Sequence, residues 1–222
     1  MNQRLTITFF LLAISFCMLG CTNGEPDCEG NCYTGYGVKK WADGGYTRGH
    51  WKNGQVVGSA KQFFGSTSVF AGDTYVGEFG EGGYNGYGTY YSKKADGTQV
   101  GFWKRGKPDG YSKLTFNVHS SKPILFYEGN WKEGKYDGFG KLNYDKQGDS
   151  LKYKYAGNFV NGLFEGEGDL YNSDATHYHG HFANGYKNGE GIFYFADGSK
   201  YEGVWVDDES EGFDEFKKKR GR

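Results

Sequence analysis

The chain has 222 residues, of which 39 are glycine, 19% are aromatic and only 3 are proline. Its 26 basic and 27 acidic residues give a formal net charge of -1, which argues against a general nucleic-acid binder, because such proteins carry a basic excess. Branched aliphatic residues are scarce, so the composition excludes a doubly wound α/β sheet or a TIM barrel and favours β structure rich in glycine and aromatic residues.

The first part of the chain predicts an export signal over 1–20. An apolar run covers 5–19, which is shorter than the roughly 20 residues that span a bilayer as a helix. The run ends in MLGC at 18–21, which resembles the lipobox of bacterial lipoproteins. That resemblance implies acylation of Cys21 and a membrane-anchored lipoprotein of the bacterial envelope or cell surface. The alternative is a plain signal peptide with an incidental cysteine. A polar tether is predicted over 21–30.

Two further cysteines, Cys28 and Cys32, lie close together in the sequence. Disulfides persist outside the cytoplasm, so one interpretation is a local disulfide that closes a tight turn. The other is a pair of free thiols in an N-terminal cap. In an extended strand their Cα atoms would lie about 13 Å apart, beyond the roughly 7 Å limit for a disulfide. A bridge therefore requires the chain to bend at Gly30 and Asn31.

The rest of the chain repeats one pattern. Tyr-x-Gly-x-(Trp/Phe) is followed by x-x-Gly, three further residues and Gly-x-Gly, as in YHGHFANGYKNGEG at 178–191. Self-similarity at a fixed period is typical of repeat architectures. The rings and glycines predicted to anchor the repeats are Trp51, Tyr75, Gly77, Phe79, Trp103, Tyr127, Gly129, Trp131, Tyr155, Gly157, Phe159, Tyr178, Gly180, Phe182, Tyr201, Gly203 and Trp205.

These units resemble MORN (membrane occupation and recognition nexus) repeats over 46–212, with a degenerate half-unit at 30–44. The sequence departs from the pattern at Ala60 and Ser112, which replace the second glycine of Gly-x-Gly. In the last copy Asp208 replaces the turn glycine, which predicts a frayed closing cap. The resemblance implies an elongated sheet that serves protein–protein contact and assembly.

Each repeat also predicts a β-hairpin on physical grounds. In Tyr-x-Gly-x-Trp both rings and the glycine lie on one face of a strand, while the mostly polar x residues lie on the other. Turns such as Asn161-Gly162 favour a two-residue hairpin loop. A lone hairpin is not stable in water, so the hairpins stack edge to edge. We predict an all-β fold over 31–212, an elongated, twisted, single-layer antiparallel sheet of about seven stacked hairpins.

Motifs of common enzymes do not occur in the sequence. It contains no Gly-x-x-x-x-Gly-Lys-Ser/Thr, no Gly-x-Ser-x-Gly and no His-Glu-x-x-His, so neither an enzyme nor a bound cofactor is expected. His177, His179 and His181 share one face of a predicted strand. They are the candidates for a metal-binding patch, and the alternative is three solvent-facing positions. Because successive imidazoles on a strand do not converge easily on a tetrahedral ion, no metal site is predicted.

The C-terminal segment 213–222 is strongly charged, with four lysine and arginine residues in a row at 217–220. It is predicted to be a solvated, disordered tail. The alternative is a basic segment attracted to anionic lipid.

Rows of exposed aromatic rings along the array suggest a binding surface. Together with the lipobox they predict a non-catalytic, lipid-anchored repeat scaffold that mediates protein–protein interaction at the cell envelope. A protein is the expected partner, and self-association through the sheet edges is a further option. The alternative is a surface module that binds cell-wall glycan or phospholipid, and no nucleic-acid partner is expected.

Overall fold

The computed structural model describes residues 27–117, 124–145 and 152–220. The predicted signal peptide, Cys21 and the first part of the predicted tether lie outside these residues. The described residues fold almost entirely into β-strands, which belong to two compact units.

The first unit contains eight strands, namely β1 (Asp27–Gly30), β2 (Gly35–Lys40), β3 (Tyr46–Lys52), β4 (Gln55–Phe63), β5 (Thr74–Gly80), β6 (Gly83–Ser92), β7 (Gly97–Lys104) and β8 (Lys107–Phe116). The second unit contains eight strands and one helix, namely β9 (Ile124–Lys132), β10 (Lys135–Asp145), β11 (Lys152–Val160), β12 (Leu163–Asn172), β13 (His177–Ala183), β14 (Tyr186–Tyr194), β15 (Lys200–Val206), β16 (Glu209–Ser210) and α1 (Phe213–Arg220).

Within each unit every strand pairs antiparallel with the strand before it in the sequence. Such an order arises from successive hairpins and contains no crossover. The predicted fold class, all-β with an antiparallel sheet of stacked hairpins, is confirmed.

Two features of the backbone explain why glycine recurs at fixed positions. The hairpin turns place two successive residues at positive φ, as at Asn161 (51°) and Gly162 (86°). This geometry matches the twist of the strands and favours Asn-Gly. The first glycine of Gly-x-Gly also has positive φ, for example 93° at Gly86 and 92° at Gly138. These glycines lie beside register shifts that mark β-bulges, where glycine meets the backbone requirement without strain.

The second glycine of Gly-x-Gly has a steric role. It pairs with the glycine of Tyr-x-Gly, as Gly88 pairs with Gly77, and the Tyr75 ring lies across both. A Cβ added at Gly88 would meet the Tyr75 hydroxyl oxygen at 2.2 Å. That hydroxyl donates a hydrogen bond to the Glu78 carbonyl at 3.1 Å. Burial raises the pKa of the Tyr75 hydroxyl, so it stays protonated and keeps its donor role.

The anchor rings form the core of each unit. Tyr75 stacks on Tyr84 of the same hairpin, with ring centroids 3.6 Å apart and planes 7° apart. It also meets Trp103 of the next hairpin edge-on at 5.6 Å. The Trp103 indole N–H donates to the Gly88 carbonyl at 3.2 Å. Each hairpin therefore buries its rings against the next one, which explains why the hairpins are stable only as an array.

The second unit repeats this packing without interruption. Tyr127 stacks on Tyr136 at 3.7 Å, and Phe159 of the next hairpin meets Tyr127 edge-on at 5.3 Å. The same edge contact joins Phe182 to Tyr155, also at 5.3 Å. These contacts place the predicted anchors at equivalent positions in successive hairpins.

Two hairpins replace the tyrosine–glycine contact with other pairs. Gln99 occupies the tyrosine position in the hairpin where Ser112 replaces glycine, and the Gln99 amide donates to the Ser112 hydroxyl at 3.2 Å. Thr47 occupies that position in the hairpin where Ala60 replaces glycine. Because neither residue projects a ring over the neighbouring strand, the Cβ of Ser112 or Ala60 has room.

The C-terminal segment is not disordered as predicted, since residues 213–220 form α1. Phe213 packs against Trp205 with ring centroids 4.8 Å apart, so the helix covers part of the last hairpin. The Arg220 guanidinium pairs with Asp197, and its hydrogen bond is the main cause that holds the pKa of that carboxyl below its usual range. Acidic residues in the first turn and basic ones in the last also suit the helix dipole.

The predicted tether differs as well, because its last four residues form β1. The strand runs from Asp27, which pairs with Lys40 of β2, to Gly30, which pairs with Gly37. The array therefore begins four residues earlier than the sequence predicted.

Candidate interaction surface

The anchor rings themselves are not available for binding. The rows of exposed rings that the sequence suggested are not formed by these anchors, since Tyr75, Tyr127 and Phe159 are fully buried. Each anchor ring lies between the hairpin that carries it and the next one, so packing of the array consumes its surface. A surface for a partner must be formed by other residues.

Exposed rings lie on the opposite face of the first unit. Tyr87, Phe102 and Tyr111 on β6, β7 and β8 are 52%, 49% and 54% exposed, and we call them the aromatic strip. Tyr87 pairs with Phe102 across the strands, with ring centroids 5.5 Å apart. Exposed apolar clusters on this scale mark interaction sites. These rings were not predicted from the sequence, although each occupies an x position of the repeat, where polar residues are usual.

Beside the aromatic strip runs a row of outward-facing residues that we call the basic row. It joins one residue from each of six successive strands, namely Arg48, Lys61, Val76, Thr89, Val100 and Lys113. Arg48 donates a hydrogen bond to the Tyr36 hydroxyl at 2.8 Å, and the Lys61 ammonium lies 5.9 Å from the centre of the Tyr46 ring. These six positions hold three cations, and the same register continues to Val38 on β2 and Glu29 on β1.

The equivalent row of the second unit has the opposite character, and we call it the acidic row. Its members are Glu128, Lys141, Ala156, Asp169, His179, Ile192 and Glu202. Two further acids, Glu167 and Glu190, lie exposed at the x position of Gly-x-Gly, where the first unit carries Tyr87 and Tyr111. Phe139 occupies this position in the first hairpin of the second unit, so the position is acidic in two of that unit's three Gly-x-Gly sequences.

The three histidines lie on β13, as predicted, and two of them share one acidic neighbour. His177 Nε2 lies 2.9 Å from Asp169 Oδ1, and His179 Nδ1 lies 3.0 Å from the same oxygen. His179 Nε2 also lies 3.3 Å from Glu167 Oε1. His181 is exposed, and its Nδ1 lies 3.4 Å from the Glu190 carbonyl oxygen. These contacts join His177 and His179 to acidic side chains of this face, whereas His181 contacts a backbone oxygen.

Rings also flank His177. It stacks between Tyr171 and Tyr194, with centroid distances of 4.2 Å and 5.1 Å. Across the described ranges 27–117, 124–145 and 152–220, no group of three or more His, Cys, Asp or Glu side chains is arranged to hold a metal ion.

An open groove of about 520 Å³ lies at the hairpin-turn side of the aromatic strip. Phe102 forms part of its wall, and the charged residues around it are Glu81, Lys104, Arg105 and Asp109. The groove therefore combines apolar surface with charges of both signs.

The structure joins Cys28 and Cys32 in a disulfide, with Cα atoms 6.0 Å apart. The bend that the sequence analysis required is present, since Gly30 has a φ of 86° and the Asn31 N–H donates to the Tyr36 carbonyl at 2.9 Å. The disulfide closes the connection between β1 and β2.

Replacing both cysteines by serine should loosen the first hairpin. Closing so short a loop stabilises by about 2 kcal/mol in the loop-entropy account. We expect faster amide hydrogen exchange in β1 and β2 of the Cys28→Ser/Cys32→Ser protein, and unchanged exchange around Trp103. In the unmodified protein neither thiol should react with an alkylating reagent until a reductant is added. Alkylation without reductant would contradict the disulfide.

Among the residues that the structure describes, no helix is long and apolar enough to cross a membrane.

Parts of the sequence match the model of a known protein family. The family model of the MORN repeat matches residues 33–46, 100–120, 127–148, 155–174 and 178–200. No characterised protein among those compared is similar enough to the whole chain to count as a match. The matched segments lie in both units and include anchors such as Trp103, Tyr127 and Tyr155, whereas Tyr75, Phe79 and Gly88 lie outside them. Five segments of the chain are therefore similar to the MORN repeat.

Proposed function

We propose that the protein is a non-catalytic repeat scaffold that holds a partner protein at the cell envelope. MORN repeats support the scaffold role, since arrays of this kind present extended surfaces to other molecules. The MLGC sequence at 18–21 supports anchoring through acylated Cys21. The observation that carries the proposal is the aromatic strip, because three large exposed rings on adjacent strands form an apolar surface that another protein can cover.

The scaffold role explains how the residues are used. Tyr, Trp and Phe at the anchor positions stack hairpin on hairpin, and glycines leave room for them. These residues are committed to the fold, so the outward x positions are free to vary from repeat to repeat. Binding specificity would then reside in residues such as Tyr87, Phe102 and Tyr111.

The test is crosslinking in the protein's own cells, followed by purification and mass spectrometry. We expect a specific protein to be enriched with the lipidated chain, and to be lost with the Cys21→Ser variant if anchoring brings the two together. A Tyr87→Ser/Phe102→Ser variant, which keeps the anchor, should also lose that partner. Recovery of only lipid or cell-wall fragments, or a partner that persists in the Tyr87→Ser/Phe102→Ser variant, would overturn the proposal.

A further inference from the structure

The two units carry opposite charge at equivalent positions of the repeat. The basic row holds Arg48, Lys61 and Lys113, and its register ends at Glu29 on β1, whereas the acidic row holds three carboxylates and one lysine. At the neighbouring x position of Gly-x-Gly, Glu167 and Glu190 add two carboxylates in the second unit.

The two rows also share their spacing, because the same hairpin repeat builds both. Neighbouring strands lie about 4.8 Å apart, so side chains in either row follow one another at that interval. Two sheets can pack face to face about 10 Å apart with their side chains interdigitated. A basic row and an acidic row of equal spacing can therefore face each other over several strands.

A contact between the two rows would also bury exposed apolar side chains beside them. The aromatic strip lies directly beside the basic row, and the second unit offers exposed Phe139 and Val204 beside the acidic row. Interfaces gain affinity from buried aromatic side chains, while charge complementarity sets partner and register.

From this complementarity we propose that the partner at the aromatic strip is a second copy of the chain, whose acidic row docks on the basic row and the aromatic strip of the first. The proposal rests on the scaffold function above and names one partner for its surface. The contact is heterologous, since different patches of the two copies meet.

Sedimentation equilibrium of the full chain in mild detergent tests the proposal. We expect reversible self-association whose dissociation constant rises at least tenfold between about 50 mM and 500 mM salt, because exposed charges are screened over this range. A protein that remains monomeric at every concentration would overturn the proposal.

Two charge-reversal variants make the test specific. Lys61→Glu/Lys113→Glu turns the basic row acidic, and Glu167→Lys/Glu190→Lys removes the net negative charge of the acidic row and its two neighbouring acids. Each variant alone should lose self-association at least tenfold, because its two faces are then no longer opposite in charge. An equimolar mixture should regain it, since each variant keeps the face that the other needs.

A matched control variant reverses the same number of charges at a site outside both rows. Lys93→Glu/Lys94→Glu alters two exposed lysines in the turn between β6 and β7 and should leave self-association unchanged. Circular dichroism should show the same β-sheet spectrum for all variants.

The outcomes separate this inference from the scaffold function. Self-association that survives both charge reversals, or that the mixture fails to restore, would overturn the inference. If the chain is monomeric and a different protein is still captured through the aromatic strip in cells, the scaffold function stands and the second copy is rejected.

Discussion

Replacing Trp103 by alanine should destabilise the first unit by about 3–5 kcal/mol, the usual cost of removing a large buried ring. Trp103 is buried and lies among Tyr75, Tyr84 and Tyr90, with centroid distances of 5.6, 5.8 and 6.0 Å. Its indole also donates to the Gly88 carbonyl, which would lose that partner. Urea unfolding followed by far-ultraviolet circular dichroism measures the change in the free energy of unfolding.

The neighbouring residue provides the control. Phe102 points to the opposite face of the same strand and is about half exposed, so Phe102→Ala should change the free energy of unfolding by no more than about 0.5 kcal/mol. The two substitutions remove rings of similar kind one residue apart. Equal losses of unfolding free energy in Phe102→Ala and Trp103→Ala would contradict the assignment of a buried face that stabilises the fold and an exposed face that binds.

The alternation of side chains along a strand is why the sequence predicted this architecture so well. Tyr-x-Gly-x-Trp assigns rings to one face, and Asn-Gly turns such as Asn161-Gly162 set the ends of the hairpins. Both signals are local, so they can be recognised without knowledge of distant contacts. The helix at 213–220 could not be predicted in this way, because its order depends on Phe213 meeting Trp205 and Arg220 meeting Asp197.

The candidate surface was harder to predict than the fold. Rows of exposed rings were expected along the array without any statement of which rings form them, and the conspicuous rings at the anchor positions are mostly buried. Tyr87 and Tyr111 lie between the repeat's regular positions, where no rule of packing requires a ring. The informative signal was an unexpected residue type at a solvent-facing position, and recognising it requires the faces of each strand to be assigned first.

The contact between the anchor tyrosine and the second glycine of Gly-x-Gly predicts a second large effect on stability. Gly140→Ser should destabilise the second unit by about 1–3 kcal/mol, as overpacking does, because a Cβ there would meet the Tyr127 hydroxyl oxygen at 2.4 Å. Tyr127→Gln alone should cost about 3 kcal/mol, since it removes a fully buried ring that stacks on Tyr136 at 3.7 Å. Urea unfolding of each variant gives these values.

The double variant Tyr127→Gln/Gly140→Ser recreates the natural pair Gln99–Ser112, in which the two side chains are hydrogen-bonded at 3.2 Å. Its loss should be smaller than the sum of the single losses by about 1–3 kcal/mol, because the serine no longer meets a ring and the glutamine gains a partner. Lys141→Ala, next in sequence and exposed, should change stability little. Strict additivity of the two substitutions would show that the glycine is not retained to accommodate the tyrosine ring. A sub-additive result would show that the repeat tolerates change at this position only when both residues change together.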